Sequence, residues 1–479
     1  MMPNRPNEGG DEITQIENVS SKRNVRQDQH EIEQVEQSSI MSSFLVVLLN
    51  VSLGVTSFLI VLPTSRAYTE SFDINDRLAG LLVGLSPLIN GAIQPLLIPI
   101  FQRFQLRHIF YANCIFGLLG NAFYSLGDFS NSYALVLVGR SVLGAAGGPV
   151  FATTYTARAT SIDNRTKYMG YVSVAISSGY VLGPLLALVL EAIVNAAHWD
   201  SDLVNSNTIP GFSMSILYVI NLVLFMSFFK EPPRPSNGSP VKPESIVDTK
   251  PDGELTNQGD DDEEAQTDSL SSEHDMENST KSQSRPSDVF QIAICYLFVA
   301  VAMCCTGSFE IALVFYGDKS WGLSIIHVAL LLAGFNFVTC LLSIVGIEKW
   351  IKTDRTGILS CFVGLAVASI WLFDYKSMST LSYSAHRHAI IFGVGGLIML
   401  YSAQTVKGFL YGLVSKVSHK QMVMSFMATF YTFGRFAGTL VAPFLLDYDN
   451  AYGGFILGIN ALCCVLFVGA YKHMKGANK

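Results

Sequence analysis

Long apolar runs broken by short polar turns organise this chain. They fall at about 42–63, 78–100, 109–127, 133–156, 168–191 and 213–229, and again at about 289–316, 324–346, 357–374, 388–413, 422–446 and 453–471. Each is close to or above the roughly 18 apolar residues that mark a membrane-spanning helix. The pattern predicts an all-α membrane protein with 12 transmembrane helices, built as two six-helix bundles over 42–229 and 289–471. Residues 1–41, rich in Gln, Glu, Asn and Ser, read as a disordered tail, and 472–479 as a short polar end. Residues 230–288, with EPPRPSNGSP at one end and DGELTNQGDDDEEAQTDSLSSEHDMENS in the middle, form an acidic solvated tether between the bundles.

Charge sharpens this picture. The net charge of −7 belongs to the polar segments: residues 1–41 carry 4 basic and 8 acidic side chains, and 230–288 carry 6 and 15. The membrane portion keeps 21 basic against 15 acidic groups, a net of +6. Short loops on one side hold Arg103, Arg107, Arg158, Arg165, Lys167, Lys349, Lys352, Arg355, Lys416 and Lys420; those on the other hold Arg66, Arg77, Lys319, Lys376 and Arg387. Basic loops stay in the cytosol, so both termini are expected there. The polar start of the chain shows no cleavable signal, and the first span is expected to target the protein. All eight cysteines lie in apolar spans, with no disulfide framework and no metal-binding spacing, and the adjacent pairs Cys304-Cys305 and Cys463-Cys464 read as small packing residues.

Glycine spacing marks two places of close helix approach. The fourth span carries Arg140 followed by Gly144, Gly147 and Gly148; the fifth carries Gly179, Gly183 and Pro184. The eleventh span repeats the fifth, with Gly434, Gly438 and Pro443. Small residues four apart let helix backbones meet in lipid. A repeated half with its site between the copies is a transporter architecture.

These motifs resemble the major facilitator superfamily. R-x-x-x-G-x-x-G-G from Arg140 to Gly148 is similar to its fourth-helix motif. G-x-x-x-G-P-x-x-A from Gly179 to Ala187 is similar to its fifth-helix antiporter motif, with alanine at the last glycine. The loop Gln102-Arg103-Phe104-Gln105-Leu106-Arg107 resembles its D-R-x-G-R-R signature, with Gln102 where aspartate is usual. Within the superfamily, ARATSIDNRTKYM at 157–169, GYVLGP at 179–184 and Phe309-Glu310 resemble the lysosomal ceroid-lipofuscinosis-type branch. That branch implies an endosomal or lysosomal membrane, with the plasma membrane as the alternative, and traffic in anions or small metabolites. The tails show no acidic dileucine; Tyr471-Lys-His-Met474 is the tyrosine-based candidate, and the glycosylation-type sites Asn237 and Asn278 fall in the tether.

The resemblance implies that spans one, four, seven and ten line a central cavity. Arg140, Glu310 and Lys407 place charges in three of them, and Arg435 lies near the middle of span eleven. Intramembrane charge is a functional candidate by default. Candidate solute-binding residues are Arg140, Glu310, Lys407, Asn50, Ser57, Thr154 and Gln404, with Glu310 as the proton-coupling group. Gly144, Gly148, Gly179, Gly183, Pro184, Gly434, Arg435 and Gly438 are the gating and packing candidates. Each charge has a plainer reading: Arg140 with Glu310 as a buried pair locking the outer gate, Lys407 as an interfacial anchor, Arg435 as a carbonyl cap or structural pair. Glu191 reads as interfacial, and His386 and His388 as solvated beside an outer loop.

Two cations against one carboxylate favour an anionic or zwitterionic small solute, moved by a secondary active transporter through alternating access with a coupling proton. An anion channel of chloride type on the same scaffold is the alternative, and a sensor whose tether recruits a partner is a third. No phosphate loop, nucleophile elbow or metal cluster points to an enzyme or a cofactor. The acidic exposed segments exclude nucleic acid as a partner, leaving the lipid bilayer, the solute and a proton.

Overall fold

The computed structural model describes residues 41–160, 162–199, 201, 203–232, 286–350, 354–373, 385–417, 421–448 and 450–471. The tail at 1–40, most of the tether, and Asn237 and Asn278 lie outside them. The side chain of His386 is also outside the described set.

The N-terminal half holds α1 (Met41–Leu59), a short α2 (Ser65–Glu70), α3 (Ala79–Arg103), α4 (Leu106–Phe129), α5 (Tyr133–Gly144), α6 (Gly148–Ala159), α7 (Ile162–Ala197) and α8 (Ile209–Phe228). The C-terminal half holds α9 (Pro286–Lys319), α10 (Ile325–Trp350), α11 (Asp354–Ile370), α12 (Ala385–Val417), α13 (Gln421–Leu445) and α14 (Ala451–Ala470). Among the described residues, ten helical segments are long and apolar enough to cross a membrane. The helix α11 is apolar but shorter, and α13 carries Ser425, Thr429, Thr432, Arg435 and Thr439, which lower its hydropathy. No β-strand occurs among the described residues.

The expected single fourth span is two helices. The chain leaves α5 at Gly144 and reaches Gly147 in a left-handed conformation (φ 69°), which glycine adopts without strain. Pro149 then opens α6, where its missing N–H costs nothing. The Ala146 carbonyl freed by the break accepts from Asn113 Nδ2.

The glycine repeat fixes equivalent packing in the two halves. A methyl at Gly179 would lie 2.8 Å from the Ser52 carbonyl oxygen and one at Gly183 3.1 Å from that of Thr56, so α7 lies against the backbone of α1. Gly434 and Gly438 approach the Ala300 and Cys304 carbonyl oxygens more closely still, setting α13 on α9. The halves meet where α13 packs on α3 and where α7 packs on α10.

At the other end of the N-terminal half, Glu231 reaches back to the start of α4. Its two carboxylate oxygens accept from the Leu106 and Arg107 backbone N–H groups at 2.7 and 2.8 Å. Gln105, the N-cap residue, makes no side-chain cap of its own, so Glu231 satisfies donors that a helix start leaves open. Arg107 Nη2 donates to the Phe229 carbonyl at 3.2 Å, and Ser43 Oγ to that of Phe228 at 3.0 Å.

Candidate functional site

A chain of polar side chains crosses between the halves in the middle of the bundle. It begins at Glu310 on α9, which is fully buried. Gly307, one turn earlier, leaves room for α13: a methyl there would lie 3.2 Å from Arg435 Cγ. Arg435 Nη2 donates to Glu310 Oε2, closing a buried ion pair. Arg435 Nη1 donates to Tyr180 Oη at 3.0 Å, across to α7. Tyr180 Oη in turn shares a hydrogen bond with Tyr431 Oη, back on α13. Tyr431 precedes Arg435 by four residues, so both side chains share one helical face.

Two aromatic rings of the N-terminal half enclose Arg435. Its guanidinium carbon lies 4.7 Å from the Phe58 ring centre and 5.0 Å from that of Tyr180. Glu310 Oε1 and Arg435 Nε remain without hydrogen-bond partners among the described residues. At the far end, half-buried Lys407 on α12 places Nζ 5.2 Å from the Tyr431 ring centre. No ion pair holds Lys407 among the described residues. With Glu310 and Arg435 paired, its ammonium is the charge of the cluster left without an ion pair among the described residues, a functional candidate by position.

Arg140 and Glu310 do not form the pair that their similar depth suggested. Arg140 donates through Nε, Nη1 and Nη2 to the carbonyls of Leu82, Ser57 and Phe58, each at 3.2 Å. Ser57 and Phe58 lie in the last turn of α1, where helix carbonyls lack partners and the macrodipole favours a cation. Arg140 thus caps α1, while Arg435 takes Glu310.

The α1 stripe turns into its own half. Asn50 Nδ2 donates to Asn113 Oδ1 at 3.1 Å and Ser57 Oγ to Asn121 Oδ1 at 2.8 Å, both on α4. Thr154 is buried in α6, and Gln404 is half-buried on α12 three residues before Lys407. Gly144 sits against the Ser86 carbonyl oxygen, Gly148 has no neighbour at its methyl position, and Pro184 lies inside α7. Two sequence expectations need correction. Glu191 is buried and accepts from Asn195 Nδ2 at 3.5 Å. His388 is buried too, with Nδ1 accepting from Trp321 Nε1 at 3.3 Å among the rings of Tyr316 and Phe392; apolar surroundings keep it from solvent.

The end of the bundle that carries residues 60–78 is tied across the halves by ions. Arg66 meets Asp318 of α9 as well as Glu70 and Asp76. Lys319 Nζ reaches Asp76 at 2.6 Å, and Arg77 reaches Asp447 at 2.5 Å. Loop charge alone gives these three cations a role only in orientation. Tyr180, Tyr431 and Phe58 are not among the residues that intramembrane charge or glycine spacing singles out. The four-residue step from Tyr431 to Arg435 was a usable signal; nothing in the sequence marked Phe58.

Among the described residues no group of three or more His, Cys, Asp or Glu side chains is placed to hold a metal. Paired helical halves around a buried ionic centre define an all-helical membrane protein. A profile of the Major Facilitator Superfamily matches residues 44–439, and the chain belongs to that superfamily. Membership of that superfamily points to solute transport and away from an enzyme. An SPX domain-containing membrane protein of Arabidopsis thaliana is 26% identical over 197 residues, 40% of this chain and 27% of that protein. The class H tetracycline resistance protein of Pasteurella multocida is 27% identical over 195 residues, 40% of this chain and 44% of that protein. The chain thus spans less than half the length of these curated relatives. Among solved structures, the xylose transporter XylE of E. coli superposes with a TM-score of 0.63 at 12% identity, over 92% of this chain and 98% of that one. The human organic anion transporter MFSD10 gives 0.55 at 15% identity, over 91% and 99%. A bacterial homologue of the human lysosomal transporter Spinster gives 0.55 at 15%, over 91% and 96%. At these identities the likeness is one of fold.

Proposed function

We propose that this protein is a secondary active transporter for a small anionic or zwitterionic solute, working by alternating access between its two halves. The observation that carries the reading is Lys407, an ammonium without an ion pair among the described residues, beside the Glu310–Arg435 centre. A carboxylate or phosphate on the solute supplies the missing counter-charge, with Gln404 one turn away for hydrogen bonding. Glu310 is the proton-coupling group: its second oxygen is buried without a hydrogen-bond partner among the described residues, in a cluster whose other charges are Arg435 and Lys407, linked through Tyr180 and Tyr431. Twelve spans with both termini in the cytosol complete the topology, α11 and α13 supplying the two beyond the ten most apolar. The sequence resemblance supports an endosomal or lysosomal address; the solved organic anion transporter supports an anionic cargo by analogy of fold alone.

The test is uptake by proteoliposomes of inorganic phosphate, citrate and glutamate, each radiolabelled, under an imposed pH gradient. Saturable, gradient-driven uptake of one of them whose KM rises about tenfold or more in Lys407→Gln supports the reading. Unchanged gradient dependence in Glu310→Gln removes that residue from coupling. Unitary anion currents in planar bilayers replace the carrier by a channel.

A further inference from the structure

The Arg435 side chain belongs to the C-terminal half, yet two aromatic residues beside it belong to the other. Its plane is engaged by Glu310, and two aromatic groups of the N-terminal half approach its guanidinium: Phe58 at 4.7 Å and Tyr180 at 5.0 Å. The planar, delocalised guanidinium suits this division, since it hydrogen-bonds along its edge while its faces stack on rings. Tyr180 does more than stack. Its hydroxyl accepts from Arg435 Nη1 and also bonds the Tyr431 hydroxyl, so one residue of α7 is fastened to α13 at two points a helical turn apart.

We infer that Tyr180 and Phe58 are a clamp for Arg435, and that Tyr180 is the positioning residue through which the charge on Glu310 sets the separation of the two halves. With Glu310 charged, Arg435 is neutralised and rests beside the two rings. With that charge gone, a buried guanidinium is left without a counter-ion, an arrangement that burial penalises heavily. The side chain then seeks water, leaves the two rings and gives up its bond to Tyr180, so that of the two bonds through Tyr180 only that to Tyr431 is left. The contact between α7 and α13 loosens, and with it the closure at the 60–78 end. Glycines Gly434 and Gly438, which seat α13 on α9, keep Arg435 and Glu310 on one rigid unit during this change. This inference rests on the alternating-access reading but needs no particular solute.

The experiment measures the distance between halves without any cargo. Nitroxides are attached through noncanonical residues at Ser130 and Tyr448, both exposed at the 60–78 end, in the full chain in lipid nanodiscs. Double electron–electron resonance then compares the parent, Glu310→Gln, Tyr180→Phe and the double variant. Glu310→Gln is expected to raise the longer-distance population at least threefold. Tyr180→Phe, which keeps the ring but loses both hydroxyl bonds, is expected to raise it as well, and the double variant to add little more. Phe58→Leu provides a second disruption of the clamp that retains apolar volume, with the same expected non-additivity. Additive shifts, or a Tyr180→Phe distribution identical to the parent, overturn the inference. Absence of gradient-driven uptake overturns the solute reading and leaves the distance result standing.

Discussion

Glu310 on α9 meets Arg435 on α13 through one carboxylate oxygen, while its other oxygen is buried without a hydrogen-bond partner among the described residues. Breaking such a pair from one side leaves a charge in the bundle interior. Glu310→Gln or Arg435→Gln alone is expected to cost about 3–5 kcal/mol of stability. The double variant, which leaves no orphan charge, should lose less than the worse single one. Thermal unfolding in detergent at constant salt ranks the three.

Lys407 offers the solute a charge-assisted contact, worth roughly 1.5–3 kcal/mol. Lys407→Gln should therefore raise the KM of whichever labelled anion is transported by about tenfold or more. The maximal rate should change less, because Lys407 makes neither of the two hydroxyl bonds through Tyr180. Concentration-dependent uptake separates the two effects, and an unaltered KM would remove Lys407 from the binding site.

Arg77, two residues before α3, and Asp447, two residues after α13, pair at a half-exposed site. Surface pairs contribute up to about 1 kcal/mol and are weakened by salt. Arg77→Asp should open the 60–78 end modestly, and adding Asp447→Arg should restore it. The same repair at Arg66 should be incomplete, since Arg66 serves three carboxylates. Spin-label distances at low and high salt read both outcomes.

The glycines differ in what they tolerate. Gly438→Ala pushes a methyl into the Cys304 carbonyl and should sharply lower the yield of folded protein. Gly148→Ala meets no atom within 4 Å and should be accepted. Expression followed by size-exclusion chromatography gives the comparison directly.

The two-bundle plan was legible because lipid imposes long apolar runs and because Gly179/Gly183 and Gly434/Gly438 repeat at one helical spacing. The broken fourth span was also written in the chain, as Gly147-Gly148-Pro149, but a reading by hydropathy alone runs across it. The ionic centre was harder. Position along a helix gives depth in the bilayer, and at equal depth Arg140 and Glu310 looked like partners. Lateral neighbours depend on which helices touch, and there α13, not α5, lies on α9. Arg140 meanwhile found the carbonyls at the end of α1, a demand that no side-chain pattern announces. His388 follows the same logic: a polar residue near a loop looks solvated until its aromatic neighbours are known.

The carboxylate clasp that Glu231 makes on the start of α4 changes how the acidic connector should be cut. Excision beginning at residue 230 removes the clasp along with the connector, and any loss of activity would then report a frayed helix. Excision beginning beyond residue 232 spares it. Only the second deletion asks what the negative charge between the bundles is for.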